Sequence, residues 1–257
     1  MIVSDEEMAA SRSEGTDELG AAAARLRGAR NVLALTGAGV SAESGVPTFR
    51  GPGGLWREYK FEDLATPQAF ARDPKLVWEW YAWRRETIAG LSPNGAHVAL
   101  AAMERRVPGF CLATQNVDGL HAAAGSRRLL ELHGSLWRLR CVGCGHAAED
   151  RRVPLPELPP RCACGKLLRP DVTWFGEMLP QAAVAEAVAA ARSADVVLVI
   201  GSSQLVYPAA GLPEIAQARG AFVIEVNTED TPLTPSADVA LRGTAAGLVP
   251  ALVPGLA

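Results

Sequence analysis

Four of the five cysteines stand in two close pairs, Cys141-Val142-Gly143-Cys144 and Cys162-Ala163-Cys164, with 17 residues between them. Four thiolates at this spacing make the closed tetrahedral shell that zinc takes when its role is structural, so Cys141, Cys144, Cys162 and Cys164 are expected to hold one ion. The second pair is tighter than the usual Cys-x-x-Cys, and four unliganded buried cysteines are the competing reading. His146 is read as a turn residue rather than a ligand, and Cys111 as core packing. A second chemical signal is the run Thr36-Gly37-Ala38-Gly39-Val40-Ser41-Ala42-Glu43-Ser44-Gly45, which follows the apolar stretch Asn31-Val32-Leu33-Ala34-Leu35. A strand running into Gly-x-Gly is how a doubly wound sheet opens a dinucleotide site: the glycines admit the pyrophosphate to backbone N–H groups, and the next helix presents its positive end. Gly45 comes too late for the full fingerprint and no Gly-Lys pair follows, so a tight structural turn explains this loop alone equally well. A third signal is His133, at the end of a short apolar run and followed by Gly134-Ser135. There an imidazole can serve as a general base near neutral pH, although a lone histidine is as often structural. His97 and His121 lie in helical patterns and are expected to hydrogen-bond locally.

The elements that must position these residues alternate along the chain. Apolar strands over 31–35, 109–114, 129–132, 195–200 and 221–226 end in Thr36-Gly37, Gln115-Asn116, His133, Gly201-Ser202-Ser203 and Asn227. Helical patterns separate them, and a last short strand (238–241) and helix (245–252) close the chain. In an open parallel sheet, ligands bind outside the carboxyl ends of the strands. Small polar residues gathered there read as a nucleotide crevice, with Asn227 or Glu229 as candidates for the ribose. At the N-terminal side, Thr16 or Asp17 is placed to cap a helix over 21–27 that Gly28 ends. Residues 52–60 read as a flexible loop closing with an aromatic.

The 257 residues carry 49% hydrophobic content and a formal charge of −3. They can fill one large core plus a satellite module, and they lack the basic field that would suggest nucleic acid or a membrane surface. No apolar run approaches the roughly 18 residues of a membrane span, and the polar, acidic start lacks a signal pattern. An odd number of cysteines, mostly paired for metal, suits a reducing cytoplasm. A monomer is the working expectation.

Taken in order, Gly37-Ala38-Gly39-x-Ser41-x-x-Ser44-Gly45-x-Pro47-x-Phe49-Arg50, Thr114-Gln115-Asn116-x-Asp118-x-Leu120-His121, Glu131-x-His133-Gly134, the cysteine pairs, Trp174-Phe175-Gly176-Glu177 and Gly201-Ser202-Ser203 resemble the sirtuins. The resemblance covers about residues 18–252. It implies an NAD-dependent protein-lysine deacylase in which the acyl carbonyl oxygen attacks the ribose carbon that holds nicotinamide, with acylated lysine side chains of proteins as partners. It implies His133 as the base acting on a ribose hydroxyl, with Asn116 beside it in catalysis. Asn116, Val117 and Asp118 would line the nicotinamide pocket, and Gln115 would contact the nicotinamide ribose. Gly37, Ala38, Gly39, Ser41, Glu43 and Ser44 belong to the cofactor loop, while Phe49, Arg50 and Trp56 belong to the segment over it. Gly201, Ser202, Ser203, Asn227, Thr228, Glu229 and Ala245 match adenosine-side contacts. Val172 to Gly176, Phe175 included, match the strand that pairs with a substrate peptide. Two departures stand out: Ser202 where a threonine is common, and Asp171 where a histidine is usual, to which the sequence assigns no effect.

Tyr81 and Arg84 lie at i, i+3 on one helical face. A phenol beside a guanidinium makes a receptor for a carboxylate. From spacing alone, the more economical reading packs Tyr81 among the tryptophans and leaves Arg84, with Arg85, on a solvated face. Because the pair falls in the helix that reads the acyl group in this family, with small Ala65 in the acyl channel, the resemblance implies the branch that removes succinyl and malonyl groups, acetyl remaining acceptable. The expected fold is α/β: a Rossmann-like parallel sheet from 18–55, 95–136 and 176–257, with a smaller domain made of a helical insertion (56–94) and a zinc ribbon (137–175), after a disordered leader over 1–17. Rival readings are a mono-ADP-ribosyltransferase, a deacetylase only, and a nucleic-acid-binding module using Arg138, Arg140, Arg151, Arg152, Arg161, Lys166 and Arg169 of the ribbon.

Overall fold

The computed structural model describes the backbone of residues 5–49, 54–55 and 58–253, and side chains within those ranges from Asp17 onward. Its strands in chain order are β1 (Asn31–Thr36), β2 (Gly109–Thr114), β3 (Leu129–Glu131), β4 (Gly134–Cys141), β5 (Ala147–Glu149), β6 (Leu168–Val172), β7 (Val196–Ile200), β8 (Phe222–Asn227) and β9 (Val239–Arg242). Six of them form one parallel sheet in the order β3-β2-β1-β7-β8-β9. The chain builds outward from β1 to β3 and then returns to the other side of β1. The strand order therefore reverses between β1 and β7, and a crevice opens at their carboxyl ends.

Central strands of this sheet must be apolar on both faces, because helices cover both. Val32 and Ala34 of β1, with Leu198 and Ile200 of β7, pack under α1 (Asp5–Gly28), α5 (Gly95–Arg106) and α9 (Ala245–Leu252). Leu33, Leu35, Val197 and Val199 face the other way, against α7 (Gln181–Ser193) and α8 (Leu212–Gln217). The alternation of one strand thus fills two cores. Helix α1 begins at Asp5, well ahead of the cap read at Thr16 and inside the span expected to be a disordered leader. Its Ala, Glu and Arg content favours helix over most of that length. Met1 to Ser4 lie outside the described residues, as do residues 52, 53, 56 and 57 of the expected loop over 52–60.

The remaining strands form an antiparallel sheet, β5-β4-β6. It shares a core with the helices of the other insertion: α2 (Phe61–Leu64), α3 (Pro67–Arg72) and α4 (Pro74–Ala89). A short helix, α6 (Leu120–Ala123), follows β2. Helix α4 starts cleanly because Pro74 supplies a preset φ at N1 and Asp73 accepts the Leu76 N–H at 3.0 Å. Trp78, Trp80 and Tyr81 then point into the shared core, and the Trp78 indole donates to the Leu168 carbonyl at 2.8 Å. Arg85, 1% exposed, donates to the carbonyls of Leu136 (2.6 Å), Asp150 (2.6 Å) and Arg152 (3.0 Å), and pairs with the Asp150 carboxylate at 3.6 Å. The expectation of a solvated Arg84–Arg85 face is overturned, since both guanidinium groups are buried.

At the switch point the glycines do something the motif did not suggest. The N–H groups of Gly37 and Gly39 donate to the carbonyls of Ile200 (3.0 Å) and Gly201 (2.9 Å), so both are engaged inside the protein. A Cβ on Gly39 would sit 2.7 Å from the Gly201 Cα, and one on Gly37 would sit 2.7 Å from the Gly201 oxygen. Glycine is needed here so that the two chain segments can cross in backbone contact. Gly39→Ala should lower the unfolding free energy by about 1–3 kcal/mol, the usual cost of overpacking. Denaturant titration against the wild type would read this directly, and an unchanged midpoint would refute the crossing as a constraint.

Candidate active site

The strand ends open onto a cleft of about 870 Å³ between the parallel sheet and the smaller body. This lies within the range of small-molecule and cofactor sites. Gly37, Ala38, Gly39 and Glu43 line it after β1, and Phe49 comes from the segment that follows. Gln115, Asn116 and Val117 follow β2, and His133 follows β3. Gly201, Ser202 and Ser203 follow β7; Asn227, Thr228 and Glu229 follow β8; Ala245 opens α9. Ala65, Tyr81 and Arg84 enter from the helical insertion, and Val172, Phe175 and Gly176 from the ribbon side. Ser41, Ser44 and Asp118 are not in the wall. Arg50 and Trp56 lie outside the described residues.

Ser41 and Asp118 stand one layer behind the wall, in a network whose directions can be assigned. The Asn94 N–H donates to His97 Nδ1 (3.2 Å), which makes Nε2 the protonated nitrogen and a donor to Ser41 Oγ at 3.2 Å. Ser41 Oγ also accepts from the Asn116 side chain (3.1 Å) and donates to the Asp118 carboxylate (2.8 Å). The amide of Asn116, which reaches the cleft, is therefore fixed from behind. His97 was expected to bond only locally. It does close the cap of α5 on Asn94, but it also reaches across the fold to Ser41. His121 departs further: its Nε2 meets Thr36 Oγ1 at 2.9 Å, and burial pushes its pKa down to about 3, so it is neutral. Neither contact follows from helical spacing, since each partner is a distant strand or loop residue.

The imidazole of His133 is anchored by Nδ1 to the Gln115 carbonyl at 2.9 Å. A carbonyl only accepts, so Nδ1 carries the hydrogen and Nε2 keeps its lone pair. Burial holds the His133 pKa below that of an ordinary histidine, against the opposing pull of the Gln115 carbonyl. At the end of β7, Ser202 Oγ gathers the amides of Gln115 and Gln204, each at 2.9 Å, and the Asn227 side chain donates to the Ser202 carbonyl at 2.9 Å. A hydroxyl suffices there, which serine supplies as threonine would. Glu43 accepts the Ala246 N–H at 2.7 Å and ties the glycine loop to the start of α9.

Tyr81 and Arg84 face the cleft together. Arg84 is 6% exposed, yet among the described residues its guanidinium has no hydrogen-bond or carboxylate partner. It lies over the rings of Phe49 (4.7 Å), Trp80 (5.0 Å) and Tyr81 (6.0 Å). The Tyr81 oxygen accepts from the Trp174 indole at 2.9 Å, and burial raises its pKa to about 12, so the phenol stays protonated. Trp174 lines the cleft as well, a role that no periodicity in the sequence signalled. The ribbon-side segment is a strand only to Val172, at the open edge of the small sheet. Beyond it the N–H groups of Thr173 and Phe175 donate to the carbonyls of His133 and Ala65.

In the ribbon, the sulfurs of Cys141, Cys144, Cys162 and Cys164 all lie within 4.8 Å of one another. A tetrahedron with zinc–sulfur bonds of about 2.3 Å has edges of about 3.8 Å, so the four are positioned to bind one zinc ion. The short Cys-x-Cys loop closes without difficulty. His146 is exposed and not part of the group, and the Cys141 sulfur accepts from the N–H groups of Gly143 and Cys144. Asp171 acquires a role: it pairs with Arg138 and with Arg140 across the β4–β6 ladder. The basic field proposed for nucleic acid is largely neutralised, since Arg151 pairs with Glu149, Arg152 with Asp150 and Arg169 with Glu177.

Fold and cleft together define an α/β protein that binds a dinucleotide at the switch point and carries a zinc-ribbon module beside it. Residues 37–208 match the Sir2 family model. The chain is 57% identical over 210 residues to an NAD-dependent protein deacylase of Aquifex aeolicus, covering 81% of this chain and 88% of that protein. It is 53% identical over 239 residues to one of Thermus thermophilus, covering 90% and 92%. A solved Sir2 homolog–NAD complex superposes with a TM-score of 0.86 at 50% identity, covering 92% of this chain and 93% of that one. Sir2Af2 bound to a myristoylated histone peptide superposes at 0.76 and 36% identity, covering 94% and 97%. The chain belongs to the Sir2 family. No helix among the described residues is long and apolar enough to cross a membrane.

The thiolate cluster generates a direct expectation. Elemental analysis of the purified chain should give one zinc per molecule, and Cys162→Ser should lower both zinc content and Tm, because metal binding here is folding free energy. A metal-free chain with unaltered Tm would remove zinc from the account.

Proposed function

We propose that this Sir2 family member, an NAD-dependent protein deacylase, prefers lysines whose acyl group ends in a carboxylate, such as succinyl and malonyl. The observation that carries this preference is Arg84, a guanidinium buried at the cleft with no hydrogen bond or salt bridge among the described residues, the Asp118 carboxylate acting on it only from a distance. Desolvation already lowers its pKa, so the charge is costly as it stands. An incoming carboxylate would offset that cost, whereas a methyl group would not. Ala65, small and in the same wall, leaves room for the longer chain. The β6 edge and the carbonyls after it suit the backbone of an extended peptide.

NAD, when bound, supplies the ribose carbon that accepts the acyl oxygen and the nicotinamide that leaves. The residues that would hold it are those after the strand ends: the glycine loop, Gln115 and Asn116, Gly201 to Ser203, and Asn227 to Glu229. Asn116, immobilised through Ser41, is read as lining the nicotinamide end beside Asp118. His133 is read as the general base, its Nε2 available to take a proton from a ribose hydroxyl. Its neutral form is the active one and burial favours that form, so activity is retained as pH falls until the lowered pKa is crossed. The acidic limb of kcat/KM should therefore lie below about pH 6.5, the value of an ordinary histidine. A limb above that value would argue against His133 as the base, and His133→Ala should lose several orders of magnitude in kcat.

Matched succinyl-lysine and acetyl-lysine peptides test the preference. Wild type should turn over succinyl-lysine with the higher kcat/KM, and Arg84→Met should lose about 10- to 100-fold on it, the range for a charge-assisted pair. Acetyl preference in the wild type, with Arg84→Met indifferent, would make the chain a deacetylase only. Nicotinamide release with modification of the protein and no deacylation would favour mono-ADP-ribosyl transfer.

A further inference from the structure

The segment after β6 is held by a cluster that the deacylation chemistry does not itself require. Arg169 binds both oxygens of Glu177, at 2.6 and 2.8 Å, and also donates to the Val172 carbonyl at 2.8 Å. Its guanidinium carbon lies over the Trp174 ring, 3.4 Å from the centroid. Glu177 in turn accepts the Trp174 backbone N–H at 2.8 Å. The indole is thus fixed at its ring face and at its main chain, and Phe70 lies 5.3 Å from it, centroid to centroid. What the indole does with its one polar atom is donate to the Tyr81 oxygen at 2.9 Å.

An indole nitrogen can only donate, so the phenol oxygen is committed as an acceptor on that side. The phenol's own hydrogen has no acceptor among the described residues, and Tyr81 lines the cleft beside Arg84. The rotor would otherwise be free to turn its hydrogen toward any nearby acceptor. We propose that Trp174, held by the Arg169–Glu177 pair, is a positioning residue for acyl selectivity: its N–H turns the Tyr81 hydroxyl so that it donates to the substrate carboxylate. The inference rests on the carboxylate-reading role proposed above for Tyr81 and Arg84. Phenol and guanidinium then act as two donors converging on one carboxylate, and a protonated phenol is what that arrangement needs; Tyr81, with its pKa raised to about 12, supplies it.

The experiment is a double-mutant cycle on Trp174→Phe and Tyr81→Phe, read as the ratio of kcat/KM for succinyl-lysine over acetyl-lysine peptides. Phenylalanine at 174 keeps a ring face for Arg169 and removes the donor together with part of the ring volume, a loss that would slow both peptides alike. Each single variant should lower the ratio by about five- to tenfold, mainly through the KM of the succinyl peptide, and the double variant should lower it no further. Glu177→Gln, which loosens the grip on Trp174 and removes no hydrogen bond from Tyr81, should lower the ratio by a smaller factor. A Trp174→Phe that slows both peptides in parallel, or single losses that multiply in the double variant, would overturn the positioning role. If the wild type shows no succinyl preference and Arg84→Met leaves the ratio unchanged, the carboxylate reading itself fails and this inference with it. That outcome is read without any Trp174 variant.

Discussion

Arg85 carries a full charge in a place water does not reach, and three backbone carbonyls and one carboxylate are drawn in around it. Those carbonyls belong to Leu136 of β4 and to Asp150 and Arg152 just after β5, on the side of the antiparallel sheet, whereas Arg85 belongs to the helical insertion. Burying a guanidinium is unfavourable unless its hydrogen bonds are met, so the helical part and the ribbon must meet around it or both are exposed to that penalty. One body results from two stretches of chain separated by the whole of α5, β2 and β3. Its neighbour Arg84 stands in the opposite condition: it is buried on aromatic rings at the cleft, with no hydrogen bond or salt bridge among the described residues. Adjacent arginines on one helix thus take different surroundings, one bound by the ribbon and one facing the cleft, and the shared core of Trp78, Trp80 and Tyr81 keeps both in register.

The same economy of position appears on the sheet side. The crossing of Gly37 and Gly39 over Gly201 sets the floor of the cleft, and the polar residues at the strand ends are then fixed by one another. Ser41 joins His97, Asn116 and Asp118, while Ser202 joins Gln115, Gln204 and Asn227. Gln115, Asn116 and Asn227, which face the cleft, each have a partner behind them, which is the general condition for holding groups in place.

Much of this was legible in the chain. The buried strands announced themselves as apolar runs, and β2 and α9 fall where the pattern put them. The four cysteines were readable because zinc demands a ligand count and spacing that few other pressures produce. The helix that carries Tyr81 and Arg84 was readable, but which of its faces was buried was not, because tryptophans surround the whole turn and the alternation is lost. The roles of His97 and Trp174 were invisible for a different reason. Each acts through a partner brought near only by the fold, 56 residues away for His97 and Ser41 and 93 for Trp174 and Tyr81. The glycine loop was found for a reason only partly right: its N–H groups are used within the protein, and close packing explains the glycines. The start of α1 was misplaced because a cap signal at Thr16 sits inside a longer stretch of residues that favour helix.

His133 occupies an unusual address. Strand β3 of the large sheet ends at Glu131 and strand β4 of the small sheet begins at Gly134, so only Leu132 and His133 join the two. The ring is tied to the large sheet through the Gln115 carbonyl, while its own carbonyl accepts from Thr173 on the ribbon side. This two-residue joint is the shortest of the connections between the two bodies. A turn of one body against the other would therefore turn the ring as well, so the orientation of the imidazole and the width of the cleft are tied to each other by the chain itself.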